Sequence, residues 1–311
     1  MSVGLSQNQE VVVHAQQVLS KHAKSFRLAS LFLPRKSAND AAVVYSFCRL
    51  VDDAVDEAPN KDIAHKEAEA LREELAGKRP AREEVGAFLD VAERCSIPLY
   101  VAYDLMDGVC SDLGEVALRS DHELARYCYR VAGTVGLMMC GVLGVRHEEA
   151  FPFAIDLGLG MQITNICRDV LEDARRGRVY VPESRLIEHG ASSRSVIEET
   201  IDTKALCDVV KELLGLAETC YARAYFGMRF IPTQTRLAIL IALRVYRSIG
   251  LRLHKKHACN PFHGRTIVPN VAKSIEVMRG VGDFLSPQTW MKISREPPAS
   301  PFYTDWKALR E

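Results

Sequence analysis

The sequence predicts an all-α protein, and three observations support that prediction. Apolar residues recur at helical spacing over almost the whole chain, alternating strand patterns are nearly absent, and no Ser/Gly-rich linker divides the 311 residues. Helical periodicity without strand periodicity favours a helical bundle over an α/β fold. We therefore expect a single domain over 1–311, with its core at about 20–285.

The helices follow one another through short connections. Pro80, Pro98, Pro182 and Pro232 stand where helices can begin, and Gly190 ends a short helical pattern. Proline suits the first helical turn, and glycine suits the position after the last. The periodicity predicts helices at 8–31, 38–57, 62–77, 81–94, 99–113, 120–143, 150–174, 203–229, 233–256 and 269–284.

Composition narrows the classes of function. The chain is 48% apolar and 26% charged with no net charge, which is typical of a soluble globular protein and argues against a nucleic-acid binder. Nine cysteines without a CxxC pair indicate free thiols in a reducing compartment. The N-terminus lacks a signal-peptide pattern, and the longest apolar run, 131–145, is too short to span a membrane. We expect a cytoplasmic protein, at most peripheral at the membrane.

The segment CRLVDDAVDE, 48–57, contains four carboxylates within six residues. Asp52 and Asp56 share one face of the predicted helix, and Asp53 and Glu57 share another. Like charges at this spacing cost about 0.2–0.5 kcal/mol per pair when nothing neutralises them. A separate apolar stripe packs the helix, and the acidic face contains no lysine. For this motif alone, a solvent-exposed acidic helix end remains an alternative to a binding site.

A second row of oxygen donors lies in MQITNICRDVLEDARRGRVYVP, 161–182. Asn165, Asp169 and Asp173 recur every four residues and form one ridge, with Gln162 a turn earlier. Mg²⁺ takes oxygen ligands from one or two carboxylates and leaves the rest of its shell to substrate phosphates. Two such rows facing each other across a bundle would hold a small cluster of Mg²⁺ ions. Metal would then relieve the repulsion in the first motif.

Other metal sites fit the sequence less well. There is no calcium-binding loop of the EF-hand type, and neither acidic helix has the Glu-x-x-His pair of a di-iron bundle. His254, His257 and His263 lie beside arginine and lysine residues. They indicate a basic patch more than a set of ligands.

Both acidic motifs resemble the signature regions of the squalene/phytoene synthase family. YSFCRLVDDAVDE and QITNICRDVLEDARRGRVYVP match these regions, and KHAKSF, YCYRVAGTVGLMM and ALRVYRSIG match further family blocks in the same order. The resemblance covers about 20–285. It implies an isoprenoid-synthase-like helical bundle with a central cavity. Since members of that family join two prenyl diphosphates head to head, it also implies a prenyltransferase.

The resemblance implies a role for particular residues. The implied metal ligands are Asp52, Asp56, Asn165, Asp169 and Asp173, with Asp53 adjacent. The implied substrate-binding residues are His22, Lys24, Ser25, Tyr45, Arg49, Gln162, Arg168, Tyr246 and Arg265. The implied catalytic residues are Asp52, Asp56, Arg49, Arg168, Tyr45 and Tyr129. Metal and arginine would stabilise the departing diphosphate.

The same chemistry requires a dry pocket, because water would quench the carbocation as an alcohol. Tyr45, Tyr129 and Phe26 would supply electron-rich walls. The small residues of VAGTVG, with Gly133 and Gly136 among them and Gly141 beyond, would let a prenyl chain lie close to the backbone.

Within the family, YCYRVAGTVGLMM with RVYRSIG resembles bacterial phytoene synthase most. This implies condensation of two geranylgeranyl diphosphates, through a cyclopropyl diphosphate, to phytoene for carotenoid biosynthesis. The polar C-terminal segment without an anchor implies that NADPH is not needed. Ser30 and Ala42 lie about two helical turns below His22 and Arg49, and their small size favours C20 tails over C15 tails.

Alternatives stay open at this point. A C30 synthase would use farnesyl diphosphate and make presqualene diphosphate, dehydrosqualene or squalene. A non-catalytic relative acting as an assembly factor would be expected to lose metal ligands, but both sets are complete. A head-to-tail elongase is disfavoured because the second motif is NxxxDxxxD.

The implied cofactor is Mg²⁺ or Mn²⁺, and the implied partner is a prenyl diphosphate. We expect no nucleic acid and no obligate protein partner, with peripheral membrane contact for product release.

Overall fold

The computed structural model describes residues 2–286 and 296–310, with side chains of the first helix described from residue 9. The described residues form these helices: α1 Ser2–His22, α2 Lys24–Ser30, α3 Arg35–Asp56, α4 Lys61–Leu75, α5 Glu83–Arg94, α6 Tyr100–Cys110, α7 Asp121–Cys128, α8 Thr134–Leu143, α9 Phe151–Arg175, α10 Glu183–Glu188, α11 Ser193–Ile197, α12 Thr203–Gly227, α13 Thr233–His257 and α14 Asn270–Leu285. Two short strands, β1 Val116–Ala117 and β2 Arg178–Val179, pair in parallel. The all-α prediction is confirmed.

Two predicted helices are interrupted. The helix expected at 8–31 is α1 followed by α2, because the backbone at Ala23 leaves the helical region (φ −132°, ψ 64°). The helix expected at 120–143 contains a π-helical turn, Tyr129–Gly133, between α7 and α8. Such turns insert a residue into a helix and are frequent at functional sites. The helices α10 and α11 were not predicted, since five or six residues are too few to show a helical period.

Helix α9 is the central element, packed by α8, α12, α13 and the π-helical turn. Glycine allows this close packing: a Cβ on Gly136 would lie 2.4 Å from the carbonyl oxygen of Ala154. The space beside Gly133 is filled by Tyr129 and other side chains, and that beside Gly141 by a backbone carbonyl. The interpretation of Gly133 and Gly141 as room for a prenyl chain is therefore wrong, because they serve helix packing.

All nine cysteines are free thiols. Among the described residues, no helix combines the length and the apolar character that a membrane crossing requires.

Candidate active site

An apolar cavity of about 310 Å³ lies between α2, α3, α8, α9, α12 and α13. Along α9 its wall extends from Phe153 to Asn165, which is about 18 Å at 1.5 Å per residue. Asp52 and Asn165, one from each acidic row, belong to this wall. At the opposite end the wall is apolar, with Leu143 and Met228 among its residues. The cavity thus has one polar end and one apolar end.

The first acidic row lies on the last turns of α3. Asp56 accepts a hydrogen bond from Arg178 (2.9 Å), and Arg49 forms an ion pair with Asp53. The pKa of Asp52 is raised to about 7, mainly by burial; the charges of Asp56 and Asp53 contribute to the rise, and Arg49 opposes it. The repulsion expected from the sequence is therefore present in this structure.

The second acidic row lies on the last turns of α9. Arg168 donates to Asp169 (Nε–Oδ1 2.8 Å), and Arg265 approaches the same carboxylate (Nε–Oδ1 3.1 Å). Burial raises the pKa of Asp173 to about 7, and the charge of Asp169 adds to the effect, while Arg176 and Arg178 oppose it. Arginines thus pair with acids of both rows.

Asp112 is a partly buried carboxylate near both rows, and nothing in the sequence singled it out. It accepts hydrogen bonds from the hydroxyls of Tyr180 (2.9 Å) and Tyr127 (3.2 Å). Burial raises its own pKa to about 6, and its charge raises the pKa of both Asp52 and Asp173. The two rows therefore lie within electrostatic reach of each other.

Pairing of β1 with β2 brings Asp112 close to Arg178. β1 and β2 place the 112–117 segment beside Arg178, which bonds Asp56 and lies 4.0 Å from Asp112. A single acid between a helix and a short strand has no spacing signal, so Asp112 could not be found from the sequence. Arg178 was inside the quoted motif, but its contact with the first row depends on the fold.

The donor set fits a hard divalent cation. The rows offer carboxylate and amide oxygens, and Oδ1 of Asp112 is buried without a hydrogen-bond partner. Burial is the largest cause of the raised pKa of Asp52 and Asp173, and neighbouring carboxylates add to it, so a cation beside them would favour their charged forms. No three His, Cys, Asp or Glu side chains in the described part of the chain already surround a single ion position. Binding of metal would therefore require the side chains to rearrange, with Asp56 and Asp169 exchanging their arginine partners.

Aromatic side chains line the cavity as well. Phe26, Tyr45 and Tyr246 belong to its wall, with the Phe26 and Tyr246 rings stacked at 4.9 Å between centroids. The prediction of Tyr129 as a wall residue is wrong. Its side chain is fully buried away from the cavity, and its hydroxyl donates to Asp104 (2.9 Å).

Of the other predicted residues, some line the cavity and others lie outside its wall. Gln162 and Ser30 line the cavity, whereas the exposed His22 and Lys24 and the partly buried Ser25 lie at the junction of α1 and α2, outside its wall. Ala42 is fully buried in the core, and its neighbour Ala41 lines the cavity in its place. The prediction that Ala42 forms the pocket floor is wrong.

Comparison with known proteins supports the reading of these motifs. A model of the squalene/phytoene synthase family matches residues 19–271. A 15-cis-phytoene synthase of Paracoccus sp. is 34% identical over 258 residues, 79% of this chain and 83% of that protein. A phytoene synthase of Rhodobacter capsulatus is 34% identical over 244 residues, 77% of this chain and 72% of that protein. A dehydrosqualene synthase structure superposes with a TM-score of 0.81 at 27% identity, covering 89% of this chain and 97% of that one.

Proposed function

The chain belongs to the squalene/phytoene synthase family, and we propose that it condenses two geranylgeranyl diphosphates head to head to phytoene. The reaction passes through a cyclopropyl diphosphate and releases two diphosphates and two protons, so it needs no reductant. The observation that carries this proposal is an apolar cavity with one residue of each acidic row, Asp52 and Asn165, in its wall. This arrangement suits a molecule with a charged head and a long apolar tail.

The acidic rows would hold the divalent metal. Its ligands would be Asp52, Asp56, Asn165, Asp169 and Asp173. Mg²⁺ or Mn²⁺ bound there supplies positive charge that stabilises the departing diphosphate.

The arginines bind the same diphosphate directly. Arg49 and Arg168 now pair with Asp53 and Asp169, and Arg265 pairs with Asp169 as well. Metal at Asp169 would compete with its arginine partners, and a diphosphate would compete with Asp53 for Arg49. The guanidinium groups would then bind phosphate oxygens, which they match with two parallel hydrogen bonds. His22, Lys24 and Ser25 would contribute from the junction of α1 and α2.

The cavity wall protects the carbocation left after ionisation. Phe26, Tyr45 and Tyr246 line the cavity, with Tyr45 near Asp52 and Tyr246 near Arg168, where aromatic rings would stabilise positive charge and exclude water. The deeper wall is apolar and would bury the prenyl tails at roughly 25 cal/mol per Å² removed from water.

Tail length is the finer part of the proposal. The relatives named phytoene synthase resemble the chain over most of its length. The cavity wall also includes the small side chains of Ser30, Ala224 and Ala238, which leave room for a long tail. Competition between the C20 and C15 diphosphates with Mg²⁺ and without NADPH tests it. Preference for the C20 substrate supports phytoene, whereas preference for the C15 substrate would make the chain a C30 synthase, as in the dehydrosqualene synthase structure.

Peripheral membrane contact is a further proposal, since phytoene is an apolar hydrocarbon. Helix α14 exposes Val271, Ile275, Met278 and Leu285. Such a face binds at a lipid surface through its apolar area. Sedimentation with lipid vesicles should decrease for Met278→Glu, and unchanged sedimentation would contradict this contact. Location in the cytoplasm and a single domain over 1–311 stay predictions.

A further inference from the structure

The C-terminal strap, residues 296–310, packs against elements that form the cavity wall. The family match ends at residue 271, so the strap lies outside the part of the chain that the family model matches. Through Tyr303 and Arg310 it contacts two carboxylates, a fully buried one on α9 and a partly buried one on α6. None of its residues lines the cavity.

The first anchor is Asp156 on α9, which is fully buried. The Tyr303 hydroxyl donates to its Oδ1 (2.7 Å) and to the carbonyl oxygen of Pro152 (2.9 Å). Arg223 on α12 donates to Oδ2 (2.7 Å) and also to the carbonyl oxygen of Pro298 in the strap. The strap is thus bonded to two helices that both line the cavity.

This anchor lies directly behind the cavity wall. Phe153, Ala154, Leu157 and Gly158 on the same stretch of α9 line the cavity. Asp156 points the other way, to the strap. A change in how Asp156 is held would therefore be transmitted to the wall residues on either side of it.

The second anchor is Asp104 on α6. It accepts hydrogen bonds from Arg310 (Nε–Oδ2 2.8 Å) and from the hydroxyl of Tyr129 (2.9 Å). The ring of Trp306 lies 6.2 Å from that of Tyr129, and the carbonyl oxygen of Arg310 accepts a hydrogen bond from Arg130. The strap therefore holds the first residues of the π-helical turn.

The π-helical turn also contributes to the cavity wall. Its Val131 and Ala132 line the cavity. A π-helical turn is a rare conformation within a helix, so its neighbours decide whether it persists. Both anchors act on wall segments while remaining outside the cavity.

We propose that the C-terminal strap is a positioning element that sets the shape of the cavity wall on α9 and the π-helical turn, and thereby the tail length that the enzyme selects. This rests on the proposed function. Tyr303 and Arg310 are positioning residues, since they act on the substrate only through the wall.

Two variants test the strap. Tyr303→Phe removes the hydroxyl bonds to α9 and keeps the ring, and Arg310→Met removes the ion pair with Asp104. We measure kcat and KM for the C20 and C15 diphosphates. The ratio of kcat/KM for C20 over C15 should fall about tenfold, mainly through KM, since small displacements of a pocket wall have effects of that order.

A matched control separates selection from stability. Arg82→Gln breaks an ion pair with the buried Glu74, between α4 and α5, whose residues lie outside the cavity wall. This control should lower the melting temperature and leave the C20/C15 ratio unchanged. An unchanged ratio in both strap variants, or an equal change in Arg82→Gln, would overturn the proposal.

A binding measurement tests the effect of the strap on tail length without requiring turnover. Calorimetry with the non-reactive thiolo analogues of the two diphosphates, in the presence of Mg²⁺, gives the Kd for each tail length. The difference between the two Kd values should narrow in Tyr303→Phe and not in Arg82→Gln. If wild type binds both analogues but makes no hydrocarbon, the proposed function fails and the strap is still tested. If neither analogue binds, both proposals are overturned.

Discussion

Removing the charge of Asp52 should stabilise the metal-free protein. The pKa of Asp52 is raised from 3.8 to about 7, with burial as the largest cause. Each pKa unit corresponds to about 1.36 kcal/mol, so a rise of about three units sets an upper limit of about 4 kcal/mol on the cost of the charged form. The repulsion between exposed like charges on a helix, about 0.2–0.5 kcal/mol per pair, sets the lower limit.

The sign of the pH dependence follows from the raised pKa. The folded state binds the Asp52 proton more tightly than the unfolded state does, so the cost is absent below pH 4 and complete above pH 7. Asp52→Asn should therefore raise the melting temperature at pH 8 in EDTA by about 1–6 °C for a chain of this length. The gain should disappear towards pH 4.

The assay is thermal unfolding in EDTA and in Mg²⁺ with inorganic diphosphate. Wild type should gain stability with Mg²⁺ and diphosphate, and Asp52→Asn should lose most of that gain. Glu69→Gln is the matched control, because Glu69 is an exposed acid on α4, and its change should stay within about 0.5 kcal/mol. A lower melting temperature of Asp52→Asn in EDTA at pH 8, or an equal gain with Mg²⁺ in both proteins, would refute the reasoning.

Further predictions concern the metal, the pocket and the π-helical turn. Asp169→Ala and excess chelator should each abolish turnover, as measured by diphosphate release, while circular dichroism stays helical, and full activity in either would contradict a metal role. Ser30→Phe should lower the C20/C15 ratio of kcat/KM because Ser30 lines the cavity. Ala42→Trp should instead lower stability by about 1–3 kcal/mol through overpacking with no change in that ratio, since Ala42 is in the core; a shifted ratio would place it in the wall after all. Tyr129→Phe should keep kcat within about threefold and lose about 1 kcal/mol of stability with its bond to Asp104; loss of turnover in a folded variant would restore a catalytic role for Tyr129.

Helical periodicity was sufficient to predict most of the fold. It located α3, α9 and α13 within a few residues, because each is long and has one apolar stripe. It could not reveal the break at Ala23 or the π-helical turn. The break occupies one residue and the π-helical turn adds one residue, and changes this small are lost among the ordinary irregularities of an apolar stripe.

The predictions for individual site residues failed where the direction of a side chain, or its neighbours in the fold, could not be inferred from helical spacing. Neighbouring residues on a helix differ by about 100° in direction, so placing Ala42 in the wall instead of Ala41 is an error of one residue. The π-helical turn adds one residue to the helix, and Val131 and Ala132 face the cavity while Tyr129 faces Asp104. Asp112 reaches the acidic rows through tertiary structure alone.

Product analysis tests the central claim most directly. Purified protein is incubated with geranylgeranyl diphosphate and Mg²⁺ without NADPH, and the extracted hydrocarbon is identified by mass spectrometry while released diphosphate is measured. We predict phytoene, with two diphosphates released for each molecule formed. A protein that converts only farnesyl diphosphate, that forms hydrocarbon only with NADPH, or that is fully active in EDTA would contradict the account.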